Sequence, residues 1–298
     1  MQYRKLGKSD LSISVIGFGC MSLQANDAIN EMLINKAIDS GINFFDTADI
    51  YQNGENEIAV GKAVRHLRDK IFIATKVGNK IRNDGSSLDW DASKKHILSA
   101  VEKSLKRLQT DYIDLYQLHG GTIDDPIDET IEAFEILKQQ GKVKNYGISS
   151  IRPNVIREYV KRSNMVSVMM QYSILDRRPE ESCFALLQQN NINVLARGSV
   201  AKGLLIDKPA ENYLNYTAAD VRKAADEVAL LSNEKRNNAQ TALRFVMNEK
   251  IISSAVVGIR TTQQLDEAIQ AVDSPELKED EISYLKNILR ANYYDVYR

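Results

Sequence analysis

Short apolar runs alternate with amphipathic helical periods along nearly the whole chain, and this alternation leaves few folds open. The runs lie at 15–19, 42–46, 71–75, 112–118, 143–149, 166–172, 192–196 and 252–257. Helical periods fill the intervals: Asp27 to Ser40, with Asp27 as N-cap and Ile29, Leu33, Ala37 and Ile38 on one face, then 56–67, 92–108, 128–140, Pro153 to Arg162, a helix opened by Pro179-Glu180-Glu181 and ending near Asn190, then 238–248 and 261–271. Eight strand–helix units in succession predict parallel strands joined by crossover helices, an α/β chain closed into a (β/α)8 TIM barrel. Such a barrel needs roughly 250 residues; the 298 available fit one barrel domain over 1–298 with modest additions.

The additions are readable too. Tyr3–Leu6 and Leu11–Ile13 flank a Gly7-Lys8-Ser9-Asp10 turn and predict a β-hairpin over the barrel floor. Residues 79–91 read as a polar loop. The connection from Arg197 to Arg236 holds a polar helix at 218–232, and a further helix at 278–289 precedes the tail Tyr293-Tyr294-Asp295-Val296-Tyr297. The tail is expected to pack on the barrel side or an oligomer interface rather than over the mouth.

Composition narrows the function classes. With 39 basic and 40 acidic residues and a net charge of −1, neither a nucleic acid nor an acidic membrane is an expected partner. Two cysteines, Cys20 and Cys183, make no disulfide framework and suit a reducing compartment. There is no apolar leader segment and no apolar run approaching ~18 residues, so a soluble cytoplasmic protein is expected. His66 and His96 have no ligand partner at metal spacing, so no metal is expected. The sequence does not indicate an oligomeric state.

The chemistry gathers around Gly41-Ile42-Asn43-Phe44-Phe45-Asp46, a buried strand closed by an acid, with Tyr51 on the following loop. Two neighbouring strands also end on polar groups: 71–75 at Lys76, and 112–118 at His119. Parallel strands would bring Asp46, Tyr51, Lys76 and His119 together at the carboxyl-terminal mouth, where such barrels keep their chemistry. Each alone has a plain structural reading as a cap, a solvated lysine, a packed ring or a hydrogen-bonded histidine; three successive strand ends turn the balance. A tyrosine titrates near about 10; a neighbouring ammonium is expected to lower that value and sharpen Tyr51 as a proton donor. Asp46 would hold Lys76 charged, and His119 would hydrogen-bond the substrate oxygen. A general acid in a cationic surround suits carbonyl reduction, but side chains supply no hydride, so a nicotinamide or flavin is required.

No strand here leads through Gly-x-Gly-x-x-Gly into a helix, which rejects a Rossmann unit. Phosphate binding is expected instead after strands seven and eight, at Arg197-Gly198-Ser199-Val200-Ala201-Lys202-Gly203 and at Val257-Gly258-Ile259-Arg260-Thr261-Thr262. Cys20, at the mouth of strand one, is as readily a small buried thiol as a lining residue.

Over nearly its whole length the chain resembles the aldo-keto reductase family. The carrying segments are Gly17-Phe18-Gly19-Cys20-Met21, Phe45-Asp46-Thr47-Ala48 through Tyr51, Gly54-Glu55-Asn56-Glu57, Thr75-Lys76, Asp114-Leu115-Tyr116-Gln117-Leu118-His119, Gly147-Ile148-Ser149-Ser150, Gln171-Tyr172-Ser173, Lys202-Gly203-Leu204-Leu205, and Val257-Gly258 through Gln264-Leu265-Asp266-Glu267. The resemblance implies a tetrad of Tyr51, Lys76, Asp46 and His119, and a small carbonyl substrate. It implies NADPH, with NADH possible, lying extended across the mouth near Cys20, Met21 and Asp46. Ser149, Ser150 and Gln171 would meet the carboxamide. Arg197, Gly198, Ser199, Lys202 and Gly203 would line the pyrophosphate, and Gly258, Arg260 and Gln264 the adenosine phosphate. Three positions depart from the family pattern: Ser150 where many members carry Asn, Arg197 where many carry an aromatic residue stacked on the nicotinamide, and Ala268 where many carry Asn. A guanidinium at 197 can stack, but it disfavours the cationic oxidised ring.

Two other readings stay open at this stage. Potassium-channel β subunits share the resemblance and use nicotinamide occupancy as a signal, so a regulatory protein with a slow site is one; slow turnover and tight cofactor retention would mark it. A lysine at a barrel strand end can also form an imine, so a Schiff-base lyase is the other. Borohydride trapping on Lys76 would mark that one, and the adjacent Asp46 argues against it.

Overall fold

The structure, a computed structural model, describes residues 1–82 and 87–298. The chain opens on an antiparallel pair, β1 (Tyr3–Lys5) and β2 (Ser12–Ser14). Then come β3 (Ile16–Gly19), α1 (Asp27–Asp39), β4 (Phe44–Asp46), α2 (Glu55–Val64), β5 (Phe72–Val77), a second antiparallel pair β6 (Asn79–Ile81) and β7 (Leu88–Trp90), α3 (Lys94–Leu108) and β8 (Ile113–Leu118). The remaining elements are α4 (Ile127–Gln139), β9 (Val143–Ser149), α5 (Pro153–Arg162), β10 (Ser167–Gln171), α6 (Cys183–Gln189), β11 (Asn193–Arg197), α7 (Ala218–Leu230), α8 (Asn238–Asn248), β12 (Ile252–Gly258), α9 (Thr262–Ala271) and α10 (Glu279–Asn287). Strands β3, β4, β5, β8, β9, β10, β11 and β12 close in that order into a parallel barrel, as the alternation predicts.

Two apolar cores follow from the two faces of these strands. Outward residues pack with the helices. Inward residues Phe44, Ala74, Leu115, Met169, Leu195 and Val256 fill the barrel, and Leu6, Leu11 and Ile13 of the β1–β2 hairpin join them and close the floor. Leu6 and Ile13 are fully buried, each worth about 1.5–3 kcal/mol relative to exposure. Arg4 anchors the plug by donating to the carbonyls of Met247 and Ile252, both at 2.7 Å, which satisfies backbone groups around the end of α8. Gly17 is required here: a Cβ would lie 2.9 Å from the Phe44 ring and from Ser254 Oγ.

The same alternation places the polar groups. On five strands an interior apolar residue is followed two positions later by a polar one at the carboxyl-terminal end: Phe44 by Asp46, Ala74 by Lys76, Leu115 by Gln117, Met169 by Gln171 and Leu195 by Arg197. The mouth is therefore a polar ring lying on an apolar layer.

Several local expectations are corrected. Helix α1 is capped by Asn26, whose side chain accepts from the Ile29 amide, so Asp27 sits inside the first turn. Pro179 opens only a 3-10 turn, Arg178–Glu181, held by the Arg177–Glu180 and Arg178–Asp176 ion pairs; α6 starts after Ser182, whose φ of −153° breaks the helix. Helix α2 stops at Val64 and a separate 3-10 turn covers Arg68–Lys70. The loop expected at 79–91 pairs instead, Asn79 with Trp90 and Ile81 with Leu88, while 83–86 lie outside the described residues. The tail packs in part on the barrel side, as expected, with Tyr294 buried in the outer core and its amide donating to Glu181 ahead of α6 at 3.2 Å, and in part elsewhere. Asn292 bonds Leu175 and Arg177, and the Tyr297 carbonyl accepts from the Asn154 amide at 2.8 Å. Those partners follow β10 and β9, so the tail lies along the rim of the mouth.

Candidate active site

Lys76 is the hub. It is 1% exposed, and its ammonium donates to Asp46 Oδ2 at 2.7 Å, the Thr47 carbonyl at 2.7 Å and the Tyr51 hydroxyl at 3.4 Å. An ammonium has three N–H bonds, and all three are engaged. Gln117 Nε2 donates to the other Asp46 oxygen at 3.4 Å. The Tyr51 ring meets His119 edge-on with centroids 5.8 Å apart. Strand β4, the loop after it, β5 and the end of β8 thus deliver the four expected residues to one volume.

The loop carrying Tyr51 is tightly made. Gln52, Asn53 and Gly54 are consecutive left-handed residues, with φ of 50°, 56° and 93°. Such backbone is costly for the two non-glycine residues and persists only where side chains fix it. Gln52 Nε2 donates to the Leu23 carbonyl at 2.8 Å, Asn56 Nδ2 to the Cys20 carbonyl at 2.8 Å, and Thr47 Oγ1 to Asn56 Oδ1 at 2.7 Å. At Gly54 a Cβ would meet Arg107 Cδ at 2.9 Å.

Electrostatics divide the roles. Burial would lower the Lys76 ammonium, but Asp46 and Tyr51 more than offset it, so Lys76 is held above the ordinary lysine value. Burial raises the Asp46 carboxyl against the pull of Lys76 and Gln117. His119 is pushed down to about 3, by burial first and then by Lys76 and Arg197. Its imidazole is neutral at any working pH, with Nδ1 buried and unpartnered among the described residues. Tyr51 corrects the sequence reading. Lys76 does pull the phenol down, but burial and Asp46 outweigh it, and the net direction is upward from the ordinary tyrosine value. The phenol is therefore held in its protonated form.

Behind the loop lies a buried charge group that the sequence reading passed over. Glu57 is fully buried, accepts from Thr75 Oγ1 at 2.6 Å and pairs with Arg107 at 2.6 Å. Asp49 Oδ1 and the Tyr116 hydroxyl are buried beside it without partners among the described residues. One guanidinium cannot neutralise two carboxylates. Burial and Glu57 raise Asp49 to about 7, against Arg107 and Lys76. The native chain therefore binds a proton here that the unfolded chain has released, so stability falls as pH rises from about 4 to about 7 and then levels. Asp49→Asn is expected to remove that slope. Its stability at pH 8 should exceed the wild type's by about 4 kcal/mol at most, read as a higher melting temperature, with the gap closing near pH 4; parallel melting curves across this range would overturn the assignment. Gln117 could have been found from its spacing two before His119, and Glu57 from its place in the Gly54–Glu57 segment; no local signal marks Asp49.

The residues expected around a cofactor share the mouth. Ser149, Gln171, Arg197 and Gly258 end β9, β10, β11 and β12, and Gln171 pairs in register with Arg197. Ser149 and Ser150 are buried. Past β11, Gly198 has left-handed backbone (φ 71°) and a Cβ there would meet the Gln171 side chain at 3.9 Å, Ser199 Oγ is buried without a partner among the described residues, and Lys202 and Gly203 take left-handed backbone. Gln264 Oε1 accepts from the Arg260 amide at 2.9 Å, and Gln24 Nε2 donates to the Arg260 carbonyl at 2.8 Å. Met21 is 62% exposed, whereas Cys20 is fully buried, its thiol directed at the Phe18 carbonyl and raised by burial. An orphaned serine hydroxyl in a turn of left-handed residues, with Arg197 and Lys202 nearby in sequence, fits a bound pyrophosphate.

The parallel barrel thus gathers a buried lysine, a phenol and a neutral imidazole at its carboxyl-terminal mouth. Residues 15–290 match the model of the Aldo/keto reductase family, and the chain belongs to that family of carbonyl-reducing oxidoreductases. It is 49% identical to the oxidoreductase YqkF of Bacillus subtilis over the full length of both, and 32% identical to a probable aldo-keto reductase 1 of Glycine max, covering 90% of this chain and 83% of that one. Among solved structures it matches aldo-keto reductase AKR11C1 from Bacillus halodurans in the holo form with a TM-score of 0.95 at 47% identity, covering 100% and 99% of the two chains. The apo form of the same enzyme matches with a TM-score of 0.87. No described helix is long and apolar enough to cross a membrane.

Proposed function

We propose that the chain reduces a small aldehyde or ketone at the expense of NADPH, with NADH the possible second donor, and that Tyr51 delivers the proton. The observation that carries this is the fully used Lys76 ammonium, bonded at once to Asp46, Thr47 and Tyr51. It supports a phenol whose anion, once formed, gains a buried cation beside it. When bound, the nicotinamide supplies the hydride. Ser149, Ser150 and Gln171 would hold its carboxamide, with Cys20, Met21 and Asp46 nearby. Arg197, which opens the loop after β11, would lie against the nicotinamide ring, Gly198, Ser199, Lys202 and Gly203 would hold the pyrophosphate, and Gly258, Arg260 and Gln264 the adenosine phosphate. His119, neutral, donates a hydrogen bond to the substrate oxygen without competing as the acid. Tyr51 passes its proton to that oxygen, and Lys76 stabilises the phenolate left behind.

The imine reading loses support from the same contacts: a lysine paired with Asp46 and raised above its ordinary value has no lone pair to attack a carbonyl. Composition further suits a reducing, cytoplasmic setting and a single barrel domain over 1–298. The test is NADPH and NADH oxidation by purified protein with 4-nitrobenzaldehyde; cofactor binding without any turnover across a panel of carbonyls would move the reading to a regulatory protein.

Arg197 makes a separate test. A guanidinium against a cationic oxidised ring is repulsive by about 1–4 kcal/mol at contact distance, depending on local dielectric. Arg197→Phe is therefore expected to tighten NADP+ relative to NADPH by about tenfold, read as the ratio of their Kd values by fluorescence titration. An unchanged ratio would remove Arg197 from the nicotinamide.

A further inference from the structure

Arg152 joins three parts of the rim that the tetrad alone does not explain. It lies between β9 and α5, and its amide donates to Ser150 Oγ at 3.2 Å. Its guanidinium donates to the Gly121 carbonyl, two residues beyond His119. The same guanidinium lies over the Tyr297 ring at 4.7 Å from its centroid. Tyr297 is the penultimate residue, yet its backbone is left-handed (φ 65°) and its carbonyl accepts from Asn154. An aromatic residue keeps such backbone only where its surroundings fix it. Here the neighbours sit on both sides: Arg152 and Asn154 beneath, and Arg298 bonded to the Tyr294 carbonyl and to Glu181.

The loop carrying His119 is held from its other side as well. Trp90 Nε1 donates to Asp125 Oδ1 at 2.8 Å, and Asp125 accepts from the amide and hydroxyl of Thr122 at 2.7 and 2.8 Å. Gly121, with φ 110°, sits between these braces, and a Cβ there would press on Val155 at 3.1 Å. The Trp90 brace fixes the far end of the loop, whereas Arg152 fixes the end next to the imidazole.

We infer that Arg152 is a positioning residue for carbonyl reduction, and that Tyr297 is the clamp that keeps its guanidinium in place. Arg152 sets His119 against the serines at 149 and 150, so the group that would orient the substrate oxygen and the groups that would hold the carboxamide keep one fixed separation. The inference deepens the reductase reading and rests on it. Displacements of about 1 Å at a reacting centre can cost up to about a hundredfold in rate; loss of one of two braces is a smaller disturbance, expected to lower kcat about tenfold. The cofactor sites after β11 and β12 are untouched, so NADPH Kd should stay within about threefold of the wild type.

The experiment compares Arg152→Ala, Tyr297→Ala, their combination, and Tyr297→Phe, in the full-length protein with NADPH and 4-nitrobenzaldehyde. If the wild type turns over neither 4-nitrobenzaldehyde nor any other carbonyl of the panel, the reductase reading itself has failed, which is a separate result. With turnover present, the expected result is about a tenfold loss of kcat in each alanine variant, no further loss in the combination, and full rescue by Tyr297→Phe, which keeps the ring. Independent, multiplying effects, or kcat unchanged in both single variants, would overturn the inference. Should Arg152→Ala not fold, the exposed end of the tail still decides. Tyr297→Ala then carries the kcat loss with NADPH Kd unchanged, or it does not and the clamp is rejected.

Discussion

Replacing Tyr51 by Phe is expected to lower kcat for carbonyl reduction by about a thousandfold while leaving NADPH affinity within a factor of two to three. The variant removes one oxygen. Among the described residues that hydroxyl has one side-chain partner, the Lys76 ammonium at 3.4 Å, and Lys76 keeps its shorter bonds to Asp46 and Thr47. The fold should therefore survive, with a stability change of about 1 kcal/mol at most from the long bond lost. The proton has no comparable second source. His119 is neutral down to about 3 and cannot act as an imidazolium acid, and the Lys76 proton lies in an ion pair. Residual turnover should come from water, and the pH dependence assigned to the phenol should disappear with it. Steady-state oxidation of NADPH measures kcat, and cofactor fluorescence measures Kd. Full activity in Tyr51→Phe would sink the proposed acid, and a parallel loss of cofactor binding would show that Tyr51 shapes the site instead.

How much of this was legible beforehand differs between barrel and loop. The barrel was, because a period of two on buried strands and of 3.6 on the helices is written directly into the apolar positions, and connections between parallel strands admit few arrangements. The placement of Asp46 and Lys76 followed from the same period, since each stands two positions past an interior residue. Distances to Tyr51 did not follow: it lies on a loop whose left-handed residues at 52–54 are fixed by partners at Cys20 and Leu23, remote in sequence. The sign of the Tyr51 shift was misread for a physical reason. A nearby ammonium is visible in a sequence motif, but the depth of burial that opposes it is a property of the folded mouth. The 79–91 hairpin was missed because Asn79, Lys80, Asp89 and Trp90 do not alternate in polarity, and its pairing is anchored by the Asp91 amide on the Gly78 carbonyl and by Trp90 on Asp125. The contacts that tie the tail to Leu175, Arg177, Asn154 and Arg152 were invisible because each spans more than a hundred residues of chain.

Lys76→Met should cost the chain both its activity and about 3–5 kcal/mol of stability. The Asp46 side chain is 7% exposed, and its only charged hydrogen-bond partner among the described residues is Lys76 at 2.7 Å. Methionine fills most of the lysine's volume, so the loss is electrostatic rather than a cavity. An Asp46 carboxylate left unpaired in that volume becomes protonated in the native state, its pKa rising above the already raised wild-type position. The sign is then fixed. A carboxyl raised on folding binds a proton that the unfolded chain releases, so the variant should lose stability as pH rises from about 4 and level off above the new native value. At pH 4 it should melt close to the wild type. Adding Asp46→Asn removes the buried charge, and the double variant should regain most of the stability at neutral pH and lose the pH slope. Activity should not return: the Tyr51 phenolate would form in a buried site with no cation beside it, and a loss of kcat of about a hundredfold or more is expected in both variants. Thermal melts across pH, paired with turnover, separate the two roles. A double variant as unstable as Lys76→Met would mean that lysine packing rather than charge pairing holds the mouth, and substantial turnover in either variant would mean that Tyr51 does not depend on the ion pair.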